Sequence, residues 1–293
     1  MEESLKPSLP LFSVLIANYN NGEFLHEAVD SVLKQTYPHW EIIIVDDAST
    51  DNSKEFYSRF AEDSRIHCYF NEENRGCGYT KRRCAELSHG EILGFLDPDD
   101  YLAPNALDVM VKAHLNTPSA SLVYSLYYDV KTDSVSTHQR AIPSDSSFLQ
   151  LGGRSAAISH FATFKKVFYD KTGGIDHHYK RAVDHDLYFR LEEVGEVLFV
   201  PEVLYYYRNN TGKNISTGDN SLRAFVWNFI GEADAFRRRG LEDTMEEPLY
   251  NHLKAVLDEY GYQTEVRIRN TASYRLGNML LKPFRSIKKL FGK

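Results

Sequence analysis

Glu41-Ile-Ile-Ile-Val-Asp-Asp-Ala-Ser-Thr-Asp51 decides the fold class. Glu41 to Val45 is too short for an ordinary helix and rich in β-branched side chains. An apolar run of that kind reads as a strand buried on both faces, the habit of parallel sheets. The polar run Asp46 to Asp51 is then a loop, in which Ser49 or Asp51 stands where it can cap the next helix. Toward the N-terminus, Phe12 to Ala17 is another short apolar run. Gly22 to Gln35 follows it with Phe24, Ala28, Val29, Val32 and Leu33 at helical spacing, and Pro38 falls in the turn beyond. Toward the C-terminus the rhythm continues as a strand at Ile66 to Phe70, a helix within Tyr79 to Ser88 and a strand at Ile92 to Leu96. Repeated βα units of this kind predict an α/β protein with a parallel, doubly wound sheet flanked by helices.

Past Pro104 the pattern loosens. A helix at Asn105 to Leu115 leads to a tyrosine-rich strand around Leu122 to Tyr128, and Asp129 to Ser147 reads as a polar surface excursion. Asp184 to Val194 can form a short helix, and Val197 to Tyr207 is strand material. Asn209 to Asn220, rich in Asn, Gly, Ser and Thr, is a loop and a boundary. Leu222 to Lys293 looks helical and repeats no βα unit. The reading divides the chain into an α/β domain, residues 1–215, and a helical C-terminal extension, residues 216–293.

Composition bounds the function. The 293 residues are 42% hydrophobic and 13% aromatic, ample for a packed core and unlike a disordered chain. A formal net charge of -7 argues against coating nucleic acid. Cys68, Cys77 and Cys84 form no CxxC pair, Met1 to Pro10 holds no apolar signal core, and no run is long enough to span a bilayer. These features predict a cytoplasmic protein.

In an open α/β sheet, ligands collect beyond the carboxyl ends of the strands. Three polar clusters fall there: Asn18-Tyr-Asn20, Asp46-Asp47 and Asp97-Pro-Asp-Asp100. Carboxylates crowded on one turn repel one another unless a cation sits between them, and a hard divalent ion that also holds phosphates is the simplest remedy.

Several stretches together resemble family 2 glycosyltransferases. Val14-Leu-Ile-Ala-Asn-Tyr-Asn20, Ser31-Val-Leu-Lys-Gln-Thr-Tyr-Pro38 and Glu41 to Asp51 are similar to the family's opening. Gly90-Glu-Ile-Leu-Gly-Phe-Leu-Asp-Pro-Asp-Asp100 is similar to its DxD segment, and Val183-Asp-His-Asp-Leu-Tyr-Phe-Arg-Leu191 to its later ED-x-D-L-x-x-R-L element. The resemblance covers roughly residues 12 to 216. It implies a GT-A fold, a nucleotide-sugar donor (UDP-linked foremost), Mn²⁺ or Mg²⁺ as cofactor, and inversion at the anomeric carbon. It also implies a saccharide or lipid-linked saccharide acceptor in cell-surface polysaccharide synthesis.

Carried over residue by residue, Tyr19 matches the aromatic that stacks on the nucleobase and Asp47 the carboxylate that accepts from the uracil N–H, with Asp46 supporting the turn. Asp97 matches the first DxD carboxylate, facing ribose and metal, and Asp99 the direct metal ligand; Asp100 is left as support. Asp184 matches the general base, which takes the proton from the acceptor hydroxyl. His185 is the competing choice, but neighbouring helical residues point in different directions. Asp186 and Arg190, four apart, read as an ion pair. Lys81-Arg82 replaces the usual Arg-Asn, leaving open which side chain reaches the diphosphate. Val183 stands in place of an acidic residue. In Tyr207-Arg-Asn-Asn210, which resembles Tyr-Arg-x-His, Asn210 takes the place of a metal-binding histidine.

Other readings of the same residues are a metal-dependent nucleotidyltransferase or phosphatase, and a nucleotide-sugar-binding module without catalysis. Gly76-Cys-Gly78 lacks the third glycine of a dinucleotide fingerprint. Leu276, Leu280, Phe284, Ile287 and Phe291 are set among Arg275, Lys282, Arg285, Lys288, Lys289 and Lys293. They make a basic amphipathic end that suits either an anionic membrane surface or packing on the protein.

Overall fold

The structure, a computed structural model, describes residues 9–60, 62–136, 141–142, 146–150, 158, 160–208, 220–254 and 257–258. Among these, β1 (Phe12–Asn18), β2 (Trp40–Asp46), β3 (Ile66–Phe70) and β4 (Ile92–Phe95) alternate with α1 (Gly22–Leu33), α2 (Ser53–Phe60) and α3 (Cys77–Leu87). The four strands pair in parallel in the order β3-β2-β1-β4. Every residue of β2 is buried, as its β-branched run requires, and α1 turns Leu25, Ala28, Val29 and Val32 onto the sheet.

The strand order reverses between β1 and β4, and a crevice at that switch point is where an open α/β sheet takes its ligand. In-register pairing sets Asn18 opposite Asp46 at the carboxyl ends of β1 and β2. The polar clusters after β1, β2 and β4 therefore share one edge of the sheet.

Beyond β4 the chain forms β5 (Tyr101–Leu102), α4 (Ala106–Asn116), β6 (Ala120–Asp129), β7 (Ser134–Val135), β8 (Ala162–Lys165) and α5 (Lys166–Tyr169). Next come α6 (Val183–Glu192), β9 (Glu196–Tyr207) and α7 (Ser221–Arg238). The nine-stranded sheet continues β4-β8-β6-β9-β5, with β7 paired to β6. β8 runs antiparallel between β4 and β6, β5 antiparallel to β9 and β7 antiparallel to β6, so the expected parallel sheet is parallel at β1 to β4 and mixed beyond. Sequence periodicity is silent about β5, β7 and β8 because two to four residues contain no measurable repeat. α3 begins at Cys77, ahead of the expected Tyr79, because Gly76 supplies a left-handed turn (φ 88°) into the helix.

The chain divides into two compact units, Met1–Glu242 and Asp243–Lys293. α7, which the sequence reading placed in the extension, belongs to the first unit: Arg238 on it pairs with Asp186 of α6 at 3.2 Å, and Tyr179 donates to Asp234 at 3.1 Å. The expected boundary at 215/216 falls in residues 209–219, outside the described residues, as do Asn210 and the basic amphipathic end. In the second unit, residues 246–254 are helical.

Candidate active site

The loops after β1 and β2 are tied together by their own polar side chains. Asp46 is buried and accepts from Ser49 N (2.7 Å), Asn18 Nδ2 (3.1 Å) and the Tyr57 hydroxyl, which makes it a turn support. Asn20 accepts from the main-chain N–H groups of Thr50 (2.8 Å) and Asp51 (3.2 Å). Asp51, not Ser49, accepts from Ser53 N at the start of α2; the Ser49 hydroxyl accepts from Asn20 N instead. Asn20 (φ 56°), Ala48 (φ 61°) and Ala182 (φ 55°) hold left-handed backbone, uncommon for residues with a side chain. Such strain gathers where surrounding structure holds a loop in one shape for a ligand.

Asp47 is buried, and its carboxylate is already engaged. Oδ1 accepts from Asn71 Nδ2 (2.7 Å) and Arg75 N (2.9 Å), and Oδ2 from Gly76 N (2.8 Å). It moors the loop that opens α3 to the end of β2, leaving a lone pair on Oδ2 for a further donor. Tyr19, at the end of β1, has an exposed ring.

Lys81 stands at the centre. Its side chain is buried, and Nζ lies 2.8 and 3.1 Å from the two oxygens of Asp184 and 3.3 Å from Asp97 Oδ1, with the Phe95 ring 5.0 Å away. Burial opposes the Lys81 charge, but Asp184 and Asp97 outweigh it and hold the ammonium well above the usual lysine value. For Asp184, burial likewise opposes ionisation, and the Lys81 ammonium more than offsets it, keeping the carboxyl below the usual aspartate range. Arg82, the other candidate at that position, turns away: it donates to Glu86 (2.7 Å) and to the Ile175 carbonyl (2.8 Å), bracing the loop before α6.

The Asp97–Asp100 turn is held from β9. Asp100 is buried and accepts from the Tyr205 hydroxyl (2.7 Å) and Arg208 N (2.6 Å), while Arg208 NH1 donates to the Asp99 carbonyl (3.0 Å). Burial first, then the charges of Asp99 and Asp97, push the Asp100 carboxyl well above the usual range. Nothing in the sequence marked Tyr205 or the Arg208 backbone for this task, because the tyrosine run reads only as strand.

On α6, Val183 is buried, so the position that departs from the usual acidic residue is a core side chain. His185 lies edge-on to Phe148, 6.2 Å between ring centres. The expected Asp186–Arg190 ion pair forms at 2.7 Å. The Cys77 thiol is pushed by burial up to about 12, unsuited to a nucleophile.

Asp176, His177 and His178, on the loop before α6, are the one group of three among the described residues whose ligand atoms lie close enough to share a metal ion. Asp97, Asp99 and Asp100 form no such closed set among the described residues.

The family model for glycosyl transferase family 2 matches residues 13–180, more than half of the chain. The chain belongs to that family. Chondroitin synthase of Pasteurella multocida (strain Pm70) is 29% identical over 224 residues, which cover 74% of this chain and 23% of that protein. The Bacillus subtilis (strain 168) putative teichuronic acid biosynthesis glycosyltransferase TuaG is 41% identical over 92 residues, 31% of this chain and 36% of that protein. The chain thus spans less than two fifths of either relative. Among solved structures, S. aureus TarS 1-349 in complex with UDP-GlcNAc superposes with a TM-score of 0.63 at 18% identity, covering 76% of this chain and 69% of that one. The mannosyltransferase PcManGT from Pyrobaculum calidifontis, in complex with GDP-Man and Mn²⁺, gives 0.58 at 18% identity over 92% and 83%. The fold is that of GT-A glycosyltransferases. No helix among the described residues is long and apolar enough to cross a membrane.

Proposed function

We propose that this family 2 glycosyltransferase moves a sugar, with inversion, from a UDP-sugar to a hydroxyl of a saccharide or lipid-linked saccharide during polysaccharide synthesis. The observation that carries the reading is the convergence of Asp97 and Asp184, from distant parts of the chain, on the buried Lys81 ammonium. Convergence of that kind joins a donor-side turn to an acceptor-side carboxylate at one edge of the sheet.

In this mechanism the exposed Tyr19 ring stacks on the base and the remaining Oδ2 lone pair of Asp47 accepts its N–H. Asp97 and Asp99 face the ribose and diphosphate. Mn²⁺ or Mg²⁺ held by Asp99, when bound, offsets the charge that builds on the departing diphosphate. Asp184, kept ionised by Lys81, accepts the proton of the attacking hydroxyl. Lys81 holds that carboxylate in place, which favours it over Arg82 as the cation of the site. The relatives named for chondroitin and teichuronic acid synthesis, and the UDP-GlcNAc complex of TarS, support a UDP-linked donor and a polysaccharide product. The basic amphipathic end of the chain would bring the site to an anionic lipid surface, where a lipid-linked acceptor resides.

Calorimetric titration with UDP, with and without Mn²⁺, tests the donor site without knowledge of the acceptor. We expect metal-dependent binding by the wild type and at least tenfold weaker binding by Asp99→Ala. Absence of UDP binding under every metal condition overturns the UDP assignment.

A further inference from the structure

His160 belongs to none of the sequence motifs, yet it sits among the site's charges. It precedes β8 in left-handed backbone (φ 50°). Its imidazole stacks on Tyr207 with ring centres 3.9 Å apart and on Tyr205 at 5.6 Å, and Tyr127 meets it edge-on at 4.3 Å. Tyr205 is itself anchored to Asp100, so the stack is joined to the carboxylate turn. Three aromatic contacts fix the ring, but no hydrogen bond from a described residue reaches either ring nitrogen, and neither nitrogen is a sealed, unpartnered atom.

The charges acting on the ring are Asp97, Asp184 and Lys81, with Asp129 further along β6. Burial pulls its pKa down to about 4, so the ring is neutral at physiological pH. A neutral imidazole presents one N–H donor and one nitrogen acceptor, matching a sugar hydroxyl, which both donates and accepts.

Sheet order says which sugar that is. β4, whose end carries Asp97 to Asp100, lies between β1 and β8. β8 is antiparallel to β4, so the start of β8, next to His160, lies at the carboxylate end of β4. With the base on the β1 and β2 side and the diphosphate at the end of β4, the next group along a nucleotide-sugar is its hexose. That group falls toward β8.

We propose that His160 hydrogen-bonds a hydroxyl of the donor's sugar ring and thereby helps select which sugar is transferred, with Tyr127, Tyr205 and Tyr207 fixing its ring. This rests on the glycosyltransferase reading above.

The test compares calorimetric affinities for UDP, UDP-glucose, UDP-GlcNAc and UDP-glucuronate, all with Mn²⁺, in the wild type, His160→Ala and His160→Gln. We expect UDP itself to bind all three proteins within about twofold. The spread of affinities among the UDP-sugars should shrink about five- to tenfold in His160→Ala, the effect of one neutral hydrogen bond. His160→Gln, which keeps a donor and an acceptor, should restore part of that spread. An unchanged spread in His160→Ala with UDP binding intact overturns the proposal. So does an equal loss for UDP and every UDP-sugar in both variants, which is the signature of a structural role. If the wild type binds neither UDP nor any UDP-sugar, the UDP-sugar donor reading falls first and takes this one with it.

Discussion

Lys81 shows how much one buried cation organises. Its side chain is 7% exposed, and it satisfies two carboxylates that would otherwise repel each other across the site. Losing one partner of a buried pair costs about 3–5 kcal/mol. Asp184 is 39% exposed, so water screens part of that loss, and we expect Lys81→Met to destabilise by about 1–3 kcal/mol in a denaturant titration. Activity gives a sharper readout. As a base, Asp184 works only when ionised, so the rate rises with pH through its pKa. Lys81 holds that pKa below the usual value against burial, which raises it. Without Lys81 the burial effect prevails, and the acidic limb of the kcat profile should move to higher pH, while Lys81→Arg keeps it near the wild type. An acidic limb identical in wild type and Lys81→Met would remove Asp184 from the role of base.

At the scale of elements, α3 and the loop before α6 are built against each other. A Cβ on Gly78 would stand 2.3 Å from the Tyr179 carbonyl oxygen and 3.1 Å from that of Asp176, so only glycine allows this approach. Arg82 ties the same loop from below through the Gly173 and Ile175 carbonyls. The loop leads directly into α6 and Asp184, while Lys81 stands one turn along α3 from Gly78. Gly78→Ala should therefore displace backbone rather than a flexible side chain. We expect a loss of about 1–3 kcal/mol in thermal unfolding, typical of overpacking, and a drop in transfer rate larger than in UDP affinity. Equal loss of UDP affinity and transfer would show that the displaced loop serves the nucleotide and not Asp184.

Across the whole molecule, every proposed site residue lies in the first compact unit, Met1–Glu242, together with α7. A chain ending at Glu242 should bind UDP and Mn²⁺ within about twofold of the full chain. Its sedimentation with anionic vesicles should fall, because the basic end is missing. Retained vesicle binding would move the membrane contact onto the first unit.

The alternation of apolar runs with helical spacing was enough to declare the α/β class, since hydrophobic periodicity reports local structure directly. Glu41 to Val45 and Phe12 to Ala17 became the buried strands they resembled, and Asp186 and Arg190 paired as their spacing implied. The choice between Lys81 and Arg82 could not be read the same way. Adjacent on one helix, they differ only in which face each turns to the rest of the chain, and packing turns Lys81 to Asp184 and Arg82 to the 173–182 loop. His160, Tyr205 and the backbone of Arg208 were invisible for the same reason: their partners lie far off in sequence and are brought near only by the pairing of β8 and β9 into the sheet. Local pattern determined which residues could form strands, helices and polar turns. Tertiary structure decided which of those side chains meet, because a charge or an imidazole takes its chemistry from neighbours that no local spacing records.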